Sequence, residues 1–396
     1  ESGHYIIIRD GKIITEKKWF NIEKFWVNAD KDNKQVSKNE YIKLVKEAVE
    51  ETVKKHLVAD VPVGIFLSGG IDSTLLAAIA SSNYKKNITA ITVLFEDFKN
   101  SNYDETFKAK KISEKIGLKH HIFRVTKEDF QKDLPNVLKA MDQPSIDGLN
   151  TWYAAKAASK LNLKVVFSGL GADEIFFGYD HFKKIPLFYK YLNLFNKVPF
   201  FLPILQIFLN LLSYIKNDKR WKSILKYSNS VPKLWFLKRS IFFYDNNKIE
   251  ENKKDRLNFS DFYKEFLNKN FDYDFKNLKI YLSQLDSLFY MKNQLLRDSD
   301  WASMYHGIEL RTPFVDTELM GKLKNLMNSY SLKDNKDVLK LSFNSILPKE
   351  VLQKKKIGFQ TPISKWYQSN SKVKNLPSKN YIYHYMIDIK KSFNKF

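Results

Sequence analysis

No cysteine occurs among the 396 residues, which excludes a disulfide framework, a thiolate zinc site, an iron–sulfur cluster and a cysteine nucleophile anywhere in this chain. Arginine is scarce as well. Seven of the 66 cationic residues are Arg, so the net charge of +22 rests on lysine spread along the whole chain. Specific phosphate and base readers rely on the guanidinium fork, and a chain-wide excess of Lys, Asn and Ile fits an AT-rich genome better than a nucleic-acid footprint. Long apolar runs are also missing. Near the start only Tyr5, Ile6, Ile7 and Ile8 run together, too few for the apolar region of a secretory signal. The one candidate span, residues 198–215, is interrupted by Pro199, Pro203, Gln206 and Asn210. At ~18 residues it has the minimum length for a crossing, and the interruptions favour a buried or interfacial helical pair. A soluble, cytoplasmic protein without a membrane span is expected.

What is present is enough apolar material, 44% of residues, for about two domains at ~150 residues each. Residues 5–19 read as a hairpin turning at Asp10-Gly11, and two strands alone bury no core. Because the chain opens on Glu1 rather than Met, residues 1–39 are expected to be the remnant of a removed domain plus a polar linker from Asn28. From Glu40 the period becomes helical, with Ile42, Val45, Val49, Val53 and Leu57 on one face. Strands at 61–67, 88–95, 121–125 and 163–167 then alternate with helices at 71–80, 104–116, 128–141 and 151–160, the second of these capped by Asp104. Continuous apolar strands separated by helices predict an α/β fold, a doubly wound parallel sheet over residues 40–180. Residues 181–280 read as a helical insertion and 281–396 as further helices that complete the site, without a trusted strand.

The stretch Leu67-Ser68-Gly69-Gly70-Ile71-Asp72-Ser73 joins a buried strand to a helix. Ligands gather at the carboxyl ends of such strands. Two glycines let backbone amides approach an anion, the hydroxyls of Ser68 and Ser73 add donors, and the helix start adds partial positive charge. No Gly-Lys-Ser/Thr follows, so this is not a Walker loop. Asp72 beside a phosphate would need a divalent cation between the two anions, which implies magnesium. An ordinary strand-to-helix turn would use the same Gly and Asp. A second stretch repeats the logic: Val165-Val166-Phe167 runs into Ser168-Gly169-Leu170-Gly171-Ala172-Asp173-Glu174. Asp173 is suited to complete a magnesium site opposite Asp72, while a Gly-rich turn with a solvated acidic pair is the plain alternative.

The first stretch resembles the pyrophosphate loop of the N-type ATP pyrophosphatases, and the whole set is similar to the synthetase part of glutamine-dependent asparagine synthetases. Ser-Gly-x-Gly-x-Asp-Glu-x-Phe-x-Gly-Tyr is met at 168–179. A Met-centred helix leading to Glu-x-Arg-x-Pro-Phe-x-Asp is met by Met304, Glu309, Arg311, Pro313, Phe314 and Asp316. Leu347-Pro348, then Lys356, Gly358, Phe359, Pro362 and Trp366 meet the last motif. The resemblance covers nearly all of residues 40–370.

It implies that ATP is cleaved between its α and β phosphates, that a carboxylate is adenylated, and that ammonia displaces AMP to leave an amide. Ser68, Gly69, Gly70, Asp72 and Ser73 would hold pyrophosphate, with Ser168 beside them. Asp72 and Asp173 would hold magnesium, and the Phe66 and Gly169 backbones the adenosine. Lys356 would sit over the reacting phosphate, where an ammonium offsets charge on phosphorus and departing pyrophosphate; a solvated lysine in the run Lys354-Lys355-Lys356 is the bland reading. Glu309 and Arg311 would form a buried ion pair shaping the site, or a purely structural one. Two positions depart from the pattern: Leu170 stands where asparagine-forming members often have Glu, and Trp301 follows Asp300 where Arg is common. The expected substrates are ATP, aspartate and ammonia, with a glutaminase domain or subunit as partner. Another carboxylate, or a tRNA-modifying reaction on the same loop, are the alternatives, and a non-catalytic relative is disfavoured by the joint presence of Asp72, Asp173 and Lys356.

Overall fold

The computed structural model describes residues 2–32, 34–83, 88–143, 145, 147–196, 200, 202–216, 218, 220–239, 274–329, 336–352, 361–362 and 365–366. In chain order these form β1 (His4–Arg9), β2 (Lys12–Lys18), α1 (Ile22–Lys31), α2 (Lys38–His56), β3 (Val63–Phe66), α3 (Ile71–Asn83), β4 (Ile88–Phe95), α4 (Thr106–Ile116), β5 (Lys119–Val125), α5 (Lys127–Ala140), α6 (Gly148–Lys160) and β6 (Val165–Phe167). There follow α7 (Ala172–Ile175), α8 (His181–Asn196), α9 (Leu202–Ile215), α10 (Arg220–Tyr227), α11 (Val231–Arg239), α12 (Leu278–Leu285), a π-helical segment (Asp286–Leu296), α13 (Arg297–Met304), β7 (Glu309–Arg311), α14 (Thr317–Lys324) and α15 (Asp337–Ser342). Two compact units result: residues 35–176 with 289–396, and residues 1–34 with 177–288.

The first unit is built on a five-stranded sheet in the order β5-β4-β3-β6-β7, parallel throughout. Val63, Gly64 and Ile65 of β3 and all of β6 are buried, as strands covered on both faces by helices must be. From β3 the chain winds outward through β4 to β5, then returns to β3's other side as β6. The carboxyl ends of β3 and β6 therefore flank the point where the strand order reverses, the place where such sheets bind ligands. Trp152 and Tyr153 of α6, Phe130 of α5, Phe95 of β4 and Trp366 form one buried aromatic cluster over the sheet.

Local chemistry explains the helix starts. Ser37 accepts from Glu40 N at 3.2 Å ahead of α2, and Thr126 and Asp129 form a reciprocal capping box on α5. Asp104 lies one residue outside the expected cap position, yet its Oδ1 still accepts from Thr106 N at 2.9 Å in the first turn of α4. β7 corrects the reading of the C-terminal part as helical only. Three residues are too few to show alternation, and their conformation comes from the edge of β6: Glu309 N donates to Lys164 O at 2.8 Å, and Ser168 N donates to Arg311 O at 2.9 Å.

The second unit holds the β1/β2 ribbon and helices α1 and α8 to α12. The stretch from Asn28, expected as linker, stays helical through Lys31 because Asn21 caps α1 (Lys24 N, 2.9 Å) and the helix buries Phe25, Trp26 and Ala29. Asp30 in turn accepts from Lys276 N and Asn277 N (2.9 and 2.8 Å), fixing the start of α12. Asp286, fully buried, accepts from His181 Nε2 and Trp235 Nε1 (both 2.8 Å) and from Arg239 Nε and Nη2 (2.9 and 2.7 Å). A buried carboxylate survives only with partners of this kind, and here they tie α8 and α11 together. Desolvation outweighs Asp286 in holding the His181 imidazole below the usual histidine range.

Candidate functional site

Phe66 ends β3, and Leu67 N still donates to Ile91 O of β4 at 2.8 Å. The Leu67 carbonyl is taken by the buried hydroxyl of Thr92 at 2.6 Å, so the loop leaves the sheet from a fixed point. Its shape is then set by its own hydroxyls. Ser73 Oγ accepts from Ser68 N at 3.2 Å and lies 3.1 Å from Ser68 Oγ, which accepts from Gly70 N at 3.3 Å. Gly69 has φ +69°, and a Cβ there would come within 3.2 Å of the Lys108 stem on α4. This loop opens directly into α3, whose first-turn amides have no helical acceptor. The result is a run of hydroxyls and amides at a helix start, an arrangement suited to an anion.

The second loop lies against the first. A Cβ on Gly169 would come within 2.8 Å of Asp72 Cβ, closer than packed atoms allow, and within a tight 3.2 Å of Ser73 N. Ser168 is fastened to β7, Gly169 lies close against the first loop, and the short α7 then presents Asp173. The two acids converge as expected from the sequence, but on a residue not anticipated. Lys336 Nζ lies 2.5 Å from Asp72 Oδ1 and 2.6 Å from Asp173 Oδ1, and its side chain is 5% exposed.

Lys336 is held there against local preference. It sits at the N-cap of α15 with φ +61°, a left-handed conformation rare for a residue with a Cβ, and at the positive end of a helix, where a cation is unfavourable. The Asp72 and Asp173 carboxylates outweigh both costs. The only sequence hint is negative: lysine stands where a cap would ordinarily be Ser, Thr, Asp or Asn. The donor set also fits magnesium. Two carboxylates meeting at one cation-sized point, beside amides for phosphate, are what that ion uses when waters and phosphate oxygens complete its shell. Among the described residues no three acidic or imidazole side chains form a dedicated metal cage.

Glu309 and Arg311 are brought together, with Arg311 Nε donating to Glu309 Oε1 at 2.6 Å. The expectation of a buried pair is corrected: Glu309 is exposed at 59%, because β7 is the sheet's edge. Arg311 spends Nη1 on the carbonyls of His56 and Val58 at 2.5 and 2.7 Å, closing the C-terminus of α2. Asp316 does similar work, pairing with His56 Nε2 at 2.9 Å and capping α14 through Glu318 N at 2.7 Å. Phe314 is buried. Trp366 donates from Nε1 to Asp97 at 2.8 Å, and Lys365 foremost, with Trp366, holds that carboxyl below the ordinary range despite partial burial. Lys356, Gly358 and Phe359 lie outside the described residues.

Trp301 is buried, with its ring edge where a side chain on Gly148 would otherwise be. Its Nε1 donates to Asp298 Oδ1 at 3.2 Å, and Ser145 Oγ also donates to that carboxylate. Burial nevertheless pushes the Asp298 carboxyl up to about 6. Leu170 is half-buried between the two glycines of the second loop.

Residues 44–379 match the asparagine synthase family. Among curated relatives, glutamine-hydrolysing asparagine synthetase 1 of Bacillus subtilis (strain 168) is 27% identical over 384 residues, covering 95% of this chain and 57% of the relative. Synthetase 3 of the same organism is 25% identical over 369 residues, covering 88% and 53%. The chain thus spans about half the length of the curated relatives it matches. Among solved structures, the NH3-dependent NAD synthetase from Campylobacter jejuni is 20% identical with a TM-score of 0.26, covering 52% of this chain and 99% of that one. The match runs from α2 past Trp366 and takes in both loops, the acids that meet at Lys336 and the strand that fastens the second loop: this chain belongs to the asparagine synthase family.

Proposed function

We propose that this chain is the synthetase part of an ATP-dependent amide-forming ligase, one that adenylates the side-chain carboxylate of aspartate and transfers the acyl group to ammonia. The observation that carries the reading is the convergence of Asp72 and Asp173 on one cation at the start of α3, beside the donors of Ser68, Gly69, Gly70 and Ser73. The amides and hydroxyls bind the β and γ phosphates, with Ser168 at the rim. Phe66 and Gly169 offer backbone groups to the adenosine. Asp72 and Asp173 are the residues that would hold magnesium, which when bound screens the charge of the phosphates. Lys336 then keeps its ammonium near the same phosphates, and Lys356 retains the role over the reacting phosphate that the resemblance implies. Glu309 and Arg311 act as positioning residues, since Arg311 fastens β7 and α2 rather than facing a substrate.

In the first step a carboxylate oxygen bonds to the α phosphorus, the bond to the oxygen bridging α and β breaks, and pyrophosphate leaves with that electron pair. In the second, ammonia nitrogen bonds to the acyl carbon, AMP leaves, and nitrogen loses a proton. Preorganised donors aimed at developing charge are the largest lever available to such a site. The relatives are named for glutamine hydrolysis, and a glutaminase domain or subunit is the proposed ammonia supplier. Leu170 supports a second reading, in which the same chemistry acts on a different carboxylate, because leucine offers no acceptor where asparagine-forming members often place a glutamate.

The test is release of pyrophosphate and AMP across a panel of carboxylic acids with ammonium. One-to-one release that needs a carboxylic acid, lowered ~10²-fold or more by Asp72→Asn, is expected. ADP and phosphate as products, or near wild-type turnover in the variant, would overturn the reading. Release that answers to an acid other than aspartate selects the second.

A further inference from the structure

Residues 181–244 contain twelve Lys and Arg but one acidic residue, Asp218. The cation density is ordinary for this chain, so what distinguishes the segment is the loss of acid. That acid and the one just before the segment are both paired: Arg220 grips Asp218 from Nε and Nη2 at 2.9 and 2.7 Å, and Asp180 pairs with Lys184 at 2.8 Å. Within it, α9 turns its apolar side outward. Ile204, Ile207, Phe208, Leu211, Tyr214 and Ile215 recur every three or four residues on one stripe, and Ile207 and Tyr214 are 70% and 86% exposed. Leu209, on the opposite side of the helix, is the buried one. Gln206 donates to Lys222 O at 2.9 Å, which settles α9 on α10 by its polar edge. In α8, Leu187, Tyr191 and Leu194 form a similar exposed stripe opposite buried Phe182, Ile185 and Leu192, with Lys183, Lys184 and Lys190 around it.

We propose that the α8 and α9 stripes rest on an anionic lipid surface, lying in the interface rather than crossing it. At 14 residues, α9 is about 21 Å long, short of the ~30 Å hydrocarbon thickness. Among the described residues no helix is long and apolar enough to span. An apolar stripe with tyrosines at its edge and lysines beside it is the pattern of a helix held at the headgroup level by hydrophobic burial and charge together. Charge decides between lipid and a second copy. A symmetric contact through these stripes would set two acid-poor, lysine-rich surfaces of a +22 chain against each other, which like-charge repulsion opposes. An anionic bilayer instead complements them.

Co-sedimentation with vesicles tests this, using phosphatidylcholine alone and phosphatidylcholine mixed in equal parts with phosphatidylglycerol. The protein should bind the mixed vesicles at least ~tenfold better than the neutral ones, and binding should fall as salt rises. Ile207→Glu should weaken binding by ~tenfold or more with an unchanged far-UV circular dichroism spectrum. Tyr214→Ser should act in the same direction, and Ile8→Glu on the β1/β2 ribbon should bind as wild type. No binding to the mixed vesicles at low salt, or equal binding by Ile207→Glu, would overturn the proposal. So would a dimer in sedimentation velocity that Ile207→Glu dissociates while vesicle binding is absent, which would assign the stripe to self-association.

Discussion

Lys336 concentrates the chemistry of the site into one side chain. Removing one partner of a buried ionic group leaves the others uncompensated, a loss of ~3–5 kcal/mol for fully buried pairs. Lys336→Met should therefore lower the thermal midpoint by several degrees, with part of that loss recovered in millimolar magnesium, to which wild type responds little. Equal midpoints, or no differential response to magnesium, would show that Asp72 and Asp173 do not depend on this cation. Asp298 is a second buried charge, with the opposite consequence. Unfolded, its carboxyl would titrate near ~4, while in the fold burial holds the proton up to about 6. Between these values the unfolded chain binds fewer protons than the folded one, so stability falls as pH rises through the window, by about 2–3 kcal/mol in total. Asp298→Asn lacks that slope. Its midpoint minus that of wild type should climb as pH is raised from about 4 and flatten above about 6; a constant difference in melting scans would contradict the assignment.

At the scale of elements, the site exists because two loops from adjacent strands touch without side chains between them. Gly169 carries this, since its Cβ would meet Asp72 Cβ at 2.8 Å and the Ser73 backbone at 3.2 Å. Gly169→Ala should cost ~1–3 kcal/mol of stability and should reduce pyrophosphate release more steeply than stability, because the displaced atoms belong to the loop proposed to bind phosphate. Gly321 is the contrast within α14: nothing lies within 4 Å of a Cβ there. Gly321→Ala should raise stability by ~0.5–1 kcal/mol through helix propensity and leave turnover alone. Identical losses from the two variants in parallel melting and turnover assays would mean that contact at Gly169 is not what matters.

At the scale of the whole molecule, the proposed function carries an expectation about which nitrogen donor these 396 residues can use by themselves. The proposed ligase needs ammonia, and hydrolysing glutamine through a thioester needs a thiol that none of the 396 residues supplies. The purified chain should form amide product with ammonium and none with glutamine. Product from glutamine without a second protein would require a different nucleophile and would reopen the reading.

Much of this architecture was legible in the residues. Continuous apolar strands ending in Gly-rich turns are driven by burial on both faces, a property of the sequence itself, so β3, β4, β6 and both loops stood where they were read. That Asp72 and Asp173 lie close together was expected, because acids beside a phosphate cradle would need a shared cation, and they do meet, at Lys336. What could not be read depends on contacts rather than on local preference. β7 has three residues and takes its extended form from the open edge of β6. Glu309 is exposed because that strand is the last of the sheet, a fact of strand order. Lys336 reaches Asp72 across 264 residues of chain, in a backbone conformation its own sequence disfavours. Local sequence determined the strands β3 to β6, the capped helix starts of α2 and α5 and the Gly-rich loop after β3, since side-chain sterics and burial act within a few residues. Only the tertiary structure decided which cation joins the two acids, because that choice is made by electrostatic energy between groups that are neighbours in space alone.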